Sequence, residues 1–319
     1  MNYRQPYLEP AKHYLEYLAV RGIAILFAPL PFPILGRIGS VLGSFAFHVI
    51  GIRRRVAIDN LQHAFPEKSP AEIREIAHRT YQNFGRTFVQ FAGMSRADTH
   101  SVRQCIDFDQ QGKQLLSRVL EEGKGGIIVA SHFGNWELLH LGFGAYGFPG
   151  RTIVRTQKNK RVDDLINRVR GRTGCQSIPF GSSVRGILKG LRENVFVGIA
   201  GDQSFKRKGS VWVDFFGRPA LTAQGAAYFH LKTGAPLIPT FTYHQPDGSI
   251  RASFEILTLD GLSGNLEQDV FRVTQRITTR LEEEIRRHPD HWFWMHQRWK
   301  GSPKFQTQDQ QVLPTEQEI

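Results

Sequence analysis

Residues 125–143 read G-G-I-I-V-A-S-H-F-G-N-W-E-L-L-H-L-G-F, and two periodicities meet there. The apolar, β-branched run at 126–131 predicts a buried strand, and L-L-H-L-G-F continues at helical spacing. His132 therefore falls just past the carboxyl end of a strand, where open α/β sheets keep their ligands. Glu137 follows five residues later. On one continuous helix that spacing leaves the two side chains about 140° apart. They meet only if Phe133, Gly134 and Asn135 form a turn. Gly134 tolerates positive φ, and Asn135 suits the N-cap of a helix starting at Trp136. A carboxylate on one imidazole nitrogen fixes the tautomer and supports general base work.

The pattern repeats on the carboxyl-terminal side. Strands at 126–131, 152–155 and 195–201 alternate with helices near 136–144, 160–172 and 183–193, with a weaker strand near 176–179. This predicts an α/β fold with a mainly parallel sheet and helices on both faces. Strands at 236–243 and 251–257 would add an antiparallel pair across Pro246-Asp247-Gly248-Ser249, and a helix at 266–287 closes the domain. Ser69 and Glu72 form a capping box for a helix reaching about Ala92.

His132, Arg155 and Asp202 each lie at or just beyond the carboxyl end of a predicted strand, so a parallel sheet brings them to one edge. Arg155 suits a phosphate or an oxyanion, or else a salt bridge to Asp202. Either Asp202 or Glu137 is placed to orient the imidazole, and the pattern leaves both open. Ser131 lacks the nucleophile elbow of a serine hydrolase, because position 129 is Val. Gly123-Lys124-Gly125-Gly126 lacks the spacing of a phosphate-binding loop and reads as a turn. His288, Asp290, His291 and His296 suggest metal ligands, but the aromatic run between them reads as packing, so no metal and no cofactor are expected. Phe216 and Gly217 fit a bend lining a groove, or core packing.

The 319 residues carry a net charge of +12, and residues 151–208 hold fourteen Lys and Arg against four Asp and Glu. Such a field attracts anionic lipid, phosphorylated glycolipid, an acidic carrier protein or nucleic acid. No zinc-finger spacing, RNP-type motif or heptad accompanies the basic stretch, so nucleic acid is not expected. Cys105 and Cys175 are seventy residues apart, against a disulfide scaffold and in favour of a reducing compartment. No signal peptide is apparent at the N-terminus. Residues 22–50 are apolar but run only about fourteen residues before Arg37, short of the roughly twenty a spanning helix needs. Pro29, Pro31 and Pro33 would break a single helix, so two pieces lying at a membrane interface are expected, with Arg53–Arg55 as a basic flank. The chain thus divides into a membrane-associating segment at 1–55, an α/β domain at 56–300 and a polar, loose tail at 301–319.

The block H-F-G-N-W-E at 132–137 resembles the His-(four residues)-Asp/Glu motif of the lysophospholipid acyltransferase superfamily, in its lipid A late (lauroyl/myristoyl) acyltransferase branch. Further blocks match in order: I-V-R-T-Q-K-N at 153–159, G-D-Q at 201–203, F-F-G-R-P-A at 215–220, T-G-A-P-L-I-P at 233–239 and H-P-D-H-W-F-W-M-H-Q-R-W-K at 288–300. The resemblance implies acyl transfer from a thioester, on acyl carrier protein or coenzyme A, to a hydroxyl of an anionic glycolipid such as a lipid A precursor. Phosphatidylinositol mannoside or another polar lipid is the close variant acceptor. It implies catalytic roles for His132 as general base with Glu137 and Asp202, and substrate contacts from Asn135, Arg155, Arg170, Gln203, Phe216, Gly217 and Arg298. It also implies the cytoplasmic face of the inner membrane. A non-catalytic lipid-binding protein of the same fold is the reading from another class.

Overall fold

The computed structural model describes residues 8–205 and 209–302. Two helices open it, α1 (Leu8–Phe27) and α2 (Phe32–Phe45). They part at the three prolines, as the sequence predicts, because proline cannot donate to the helical ladder and clashes with the preceding turn. Pro33 is tolerated in the first turn of α2, where the N–H has no partner anyway. A π-turn at Ala46–Ile50 then prolongs α2. Phe32–Ile50 spans 19 residues, long and apolar enough to cross a membrane by length and composition. The limit set by Arg37 is therefore corrected, since one cation does not interrupt the helix.

α3 (Arg54–Ala64) leads into α4 (Pro70–Gly93), which starts with the predicted capping box: Glu72 N–H donates to Ser69 Oγ and Ser69 N–H to Glu72 Oε2. α2 packs on α4 through glycines. A Cβ at Gly43 would sit 2.1 Å from the Tyr81 carbonyl oxygen, and one at Gly39 2.5 Å from that of Gly85. The opposite face of the α2 helix leaves Val41 67% and Val49 68% exposed. One face is core, and the other is apolar and uncovered.

The remainder is the α/β domain. In chain order it comprises α5 (Thr99–Cys105), β1 (Ile106–Phe108), α6 (Gln110–Glu121), β2 (Gly126–Ala130), α7 (Trp136–Ala145), β3 (Gly150–Val154) and α8 (Lys160–Arg170). β4 (Gln176–Pro179), α9 (Ser183–Arg192), β5 (Phe196–Ala200), β6 (Ser210–Phe215), β7 (Arg218–Ala223) and α10 (Gly225–Thr233) follow. β8 (Leu237–His244), β9 (Ile250–Phe254) and α11 (Leu266–Arg287) complete it. Seven strands form one sheet in the order β1-β9-β8-β2-β5-β3-β4, parallel throughout except for the antiparallel β8–β9 pair. The expected mainly parallel sheet is present, with helices on both faces. Leu138, Leu141 and Phe143 of α7 pack with Ile128, Phe196 and Ile238 on one side. Ile187, Phe229 and Val273 pack with Ile127, Val197 and Leu237 on the other. Alternate residues of β2 and β5 thus serve opposite layers, which is why both strands read as continuous apolar runs.

One register detail positions the site. β5 pairs with β2 as far as Ala200, and β3 pairs with β4 as far as Val154, but β3 and β5 share only the pairs from Gly150–Phe196 to Thr152–Gly198. Their carboxyl ends diverge, and the sheet opens there.

The sequence reading missed α3, β1, α5, α6, α10 and the β6–β7 hairpin. The hairpin turns on Phe216 and Gly217, both at positive φ (55° and 72°), which matches the twist of a two-residue turn. Phe, unlike Asn or Asp, gives no turn signal. Tertiary contacts hold it there: Phe216 N–H donates to Glu282 Oε2 at 2.7 Å, and the ring packs on Phe65 and Trp294. The expectation that Phe216 and Gly217 line a substrate groove is corrected. They are a turn whose aromatic ring belongs to the core.

Candidate active site

The loop after β2 is held by its backbone. Gly134 has φ +59°, and a Cβ there would lie 1.9 Å from the Thr242 carbonyl oxygen, so only glycine fits. Gly134 N–H donates to the His291 carbonyl at 2.8 Å, and Phe293 N–H donates to the His132 carbonyl at 3.0 Å. Thr242 and Thr87 hydroxyls bind the Phe133 and Gly134 carbonyls. Asn135 caps α7, its Oδ1 accepting from Leu138 N–H, while its Nδ2 donates to Gln90. It is fully buried. The N-cap reading of Asn135 holds, and its expected substrate contact is corrected, because both ends of the side chain are occupied below the surface.

Asp202 follows β5 and is buried beside this loop. Its Oδ1 is 2.9 Å from His132 Nδ1, and its Oδ2 accepts from His132 N–H and Trp292 Nε1, each at 2.9 Å. Gln203 Nε2 adds a fourth contact at 3.2 Å. Burial works against the charged carboxylate, but His132, through its charge and both its hydrogen bonds, and the Trp292 N–H outweigh it and hold Asp202 well below the usual carboxylate range. Burial likewise opposes a charged His132, yet the Asp202 charge and hydrogen bond prevail, and its pKa rises above the ordinary value. With Nδ1–H committed to Asp202, Nε2 carries the lone pair. Nε2 has no hydrogen-bond partner among the described residues, and the side chain stays 34% exposed to the cleft it lines.

Glu137 takes a different partner. Its two oxygens accept from Arg170 Nε at 2.9 Å and Nη2 at 2.5 Å. Of the two carboxylates that the sequence leaves open for the imidazole, Asp202 is the one that bonds it: Trp136 opens α7, so Glu137 lies in the first helical turn and meets α8 instead. Arg170 lines the cleft, but Glu137 occupies its fork. Replacing Glu137 by Gln leaves Arg170 half-compensated, at a cost of about 1–3 kcal/mol. Thermal unfolding of Glu137→Gln is expected to show that loss while kcat falls less than it does in Asp202→Asn. A larger kcat loss from Glu137→Gln would contradict this assignment.

The cleft has a volume of about 850 Å³. Its polar mouth carries His132, Arg155, Arg170, Gln203 and His296. Its depth runs into the opening between β3 and β5, past Leu139, Ile153, Ile187, Ile199 and Phe229. His140 is one polar residue of that wall. Its Nδ1 meets Thr152 Oγ1 at 2.8 Å, and burial pushes it down to about 4, so it is uncharged at neutral pH. Arg155 is exposed and has no ion pair among the described residues, which leaves the anticipated salt bridge to Asp202 unmade. Arg298 lies elsewhere. It is 1% exposed behind Asp202, with its guanidinium on the Leu221 carbonyl and Thr222 Oγ1. Burial lowers it to about 10, against the pull of Asp202. Its expected substrate contact is corrected, because no part of it reaches the cleft surface.

Two residues of the site escaped the sequence reading. Trp292 anchors Asp202, and its buried indole N–H, which needs a partner, was the available signal. His296, which the sequence offers as a metal ligand, lines the cleft, its pKa lowered by burial and by nearby Arg298, Arg53 and His132 against the pull of Asp202. His291 bonds Asp290 at 2.8 Å and stacks on Phe133, so it braces the loop that carries His132. Lys206, Arg207 and Lys208, in the basic stretch, and the tail from 303 lie outside the described residues.

Comparison with known proteins fits this geometry. Lipid A biosynthesis palmitoleoyltransferase of Escherichia coli (strain K12) is 27% identical over 305 residues, covering 94% of this chain and 95% of the relative. Lipid A biosynthesis lauroyltransferase of the same organism is 25% identical over 296 residues, covering 92% and 94%. Phosphatidylinositol mannoside acyltransferase of Mycobacterium tuberculosis (strain CDC 1551 / Oshkosh) is 25% identical over 223 residues, covering 68% of each chain. The family described as bacterial lipid A biosynthesis acyltransferase matches residues 3–301. With a family match over nearly its whole length, this chain belongs to the bacterial lipid A biosynthesis acyltransferases and is an acyltransferase.

Proposed function

We propose that the protein moves a fatty acyl chain from an acyl thioester to a hydroxyl of a lipid A-type glycolipid, with His132 as general base. The observation that carries this is the His132–Asp202 pair at the mouth of a cleft whose depth is apolar. His132 Nε2 takes the proton as the hydroxyl oxygen attacks the thioester carbonyl carbon. The tetrahedral oxyanion needs donors aimed at it, and Arg155, which has no ion pair among the described residues, is available at the mouth. Collapse breaks the carbon–sulfur bond, and the imidazolium returns its proton to the departing thiolate. The thioester is already activated, so no acyl-enzyme is required.

An acidic carrier protein suits the donor role, because Arg155 on the rim and Arg185 on the outer face of α9 extend a basic surface. The relatives that match over nine-tenths of their length are named for lipid A, whereas the phosphatidylinositol mannoside enzyme matches over two thirds. That difference favours the lipid A-type acceptor. Incubation with mixed acyl thioesters and bacterial lipid extract, read by product mass, tests the reaction. The expected result is a glycolipid one acyl chain heavier. Binding of lipid without any acylated product would overturn it in favour of a lipid-binding protein.

The same reading puts the protein on the cytoplasmic face of the inner membrane, through the uncovered faces of α1 and α2. Leu15 and Leu26 are each 66% exposed there. Deleting residues 1–51 is a poor test, since α2 is glycine-packed on α4. Val41→Glu with Val49→Glu changes only the outer face. Each valine is worth about 1.5 kcal/mol or more when buried, so vesicle co-sedimentation is expected to fall at least about tenfold. Unchanged sedimentation would contradict the membrane-facing reading.

A further inference from the structure

A second cleft, of about 560 Å³, lies where the amino-terminal half of α2 meets α4 and the β8–β9 turn. It is separate from the His132 cleft and shares none of its lining residues. Arg37 comes from α2, Arg86 from α4, and His244 with the turn 245–248 completes the lining. Arg37 is exposed and has no hydrogen bond or ion pair among the described residues. Arg86 is half-buried, and its only hydrogen-bond partner there is the neutral Asn83 Oδ1 at 3.2 Å. Asp247 also lines the cleft, but its Oδ1 accepts from the Ser249 backbone N–H and hydroxyl. Burial, with His291 and Arg86 nearby, pushes His244 down to about 3, so the histidine adds no charge. Two guanidinium groups thus carry the positive charge, neither in an ion pair among the described residues, while the Asp247 carboxylate shares the lining and the Asp290 charge acts on Arg86. Ser40 also lines the cleft, with a hydroxyl that has no partner among the described residues.

The rim of this cleft is continuous with the apolar outer face of α2. Val41 belongs to both, and Ile34 is 41% exposed one residue past Pro33 of the lining. A ligand seated here meets guanidinium forks at one end and a strip of uncovered aliphatic side chains at the other. Guanidinium binds phosphate oxygens in pairs, and partial burial of Arg86 strengthens that contact. We infer that this cleft is a second lipid site, holding the phosphate of an anionic phospholipid whose acyl chains lie along α2. The bound lipid is neither donor nor acceptor in the reaction. It neutralises Arg37 and Arg86 and seats the α2–α4 pair in the bilayer surface. The inference rests on the membrane-facing reading of α2 but is tested separately from it.

The full chain is bound to phosphatidylcholine vesicles doped with a photoactivatable phosphatidylglycerol, irradiated and mapped by peptide mass. Crosslinks are expected on peptides containing residues 33–41 and 244–248. Arg37→Gln, at an exposed helix position, is expected to reduce that labelling about tenfold, the worth of one charge-assisted contact. Arg37→Gln with Arg86→Gln is expected to abolish it. Transfer to a short-chain, detergent-soluble acceptor should be unchanged in Arg37→Gln, which also reports an intact fold. Inorganic phosphate alone, added in excess, is expected to compete only weakly, because it lacks the acyl chains. Labelling that is indifferent to Arg37, or complete displacement by inorganic phosphate, would overturn the inference. If vesicle binding itself fails in the parent protein, the membrane-facing reading fails first, and co-sedimentation separates the two.

Discussion

His132→Ala is expected to lose about 10²–10⁴ in the rate of acyl transfer, the usual worth of a positioned general base. The protein should still fold. The loop that carries His132 is fixed by backbone bonds from Gly134 and Phe293 and by the Thr87 and Thr242 hydroxyls, none of which involves the imidazole. Asp202 would lose its Oδ1 partner but keep Trp292, Gln203 and the His132 backbone N–H on Oδ2. Single-turnover transfer of a labelled acyl chain, alongside thermal unfolding, separates chemistry from stability. A variant with near-parent turnover would end the general base assignment. A variant that unfolds would show instead that the imidazole holds the loop, contrary to the hydrogen-bond pattern.

Asp202→Asn should be nearly as severe. The amide has almost the same shape, so Trp292 Nε1 and the backbone N–H of His132 still find an oxygen. What is lost is the negative charge that favours imidazolium and the acceptor that keeps the proton on Nδ1. If the Asn amide nitrogen turns toward Nδ1, the tautomer reverses and Nε2 holds the proton it should accept. A fall of about 10²–10⁴ in kcat is expected, with KM little changed, because Asp202 has no surface in the cleft. A dominant change in KM would place Asp202 in substrate binding instead.

The alternation of strands and helices from Gly126 onward was readable because β2 and β5 are covered on both faces and carry unbroken apolar runs. That reading also brought His132, Arg155 and Asp202 to one sheet edge, since strand ends are a consequence of topology and not of side-chain detail. What failed were several assignments that depended on where a side chain turns next. Glu137 sits at the right spacing from His132, yet one helical turn directs it to Arg170. Arg298 lies in a block typical of the family, yet its guanidinium is inside the protein. Asn135 caps α7, and Phe216 occupies a turn that only tertiary contacts make tolerable. Trp292 is 90 residues from Asp202, and no local pattern announces that hydrogen bond. The glycine face of α2 looked like part of a membrane segment, because Gly36, Gly39 and Gly43 reveal their role only when α4 lies against them.

The charge of Asp202 acts on the basicity of His132, and the pH dependence of kcat/KM measures that coupling. The reactive form of His132 is neutral, so kcat/KM should fall as pH drops through the imidazole pKa. Asp202 raises that pKa above its ordinary value of 6.5. Removing the carboxylate charge removes the elevation, so in Asp202→Asn the acidic limb should move to lower pH while the plateau drops. An acidic limb at the same pH in the parent and in Asp202→Asn would contradict the coupling, and with it the assignment of His132 as the base.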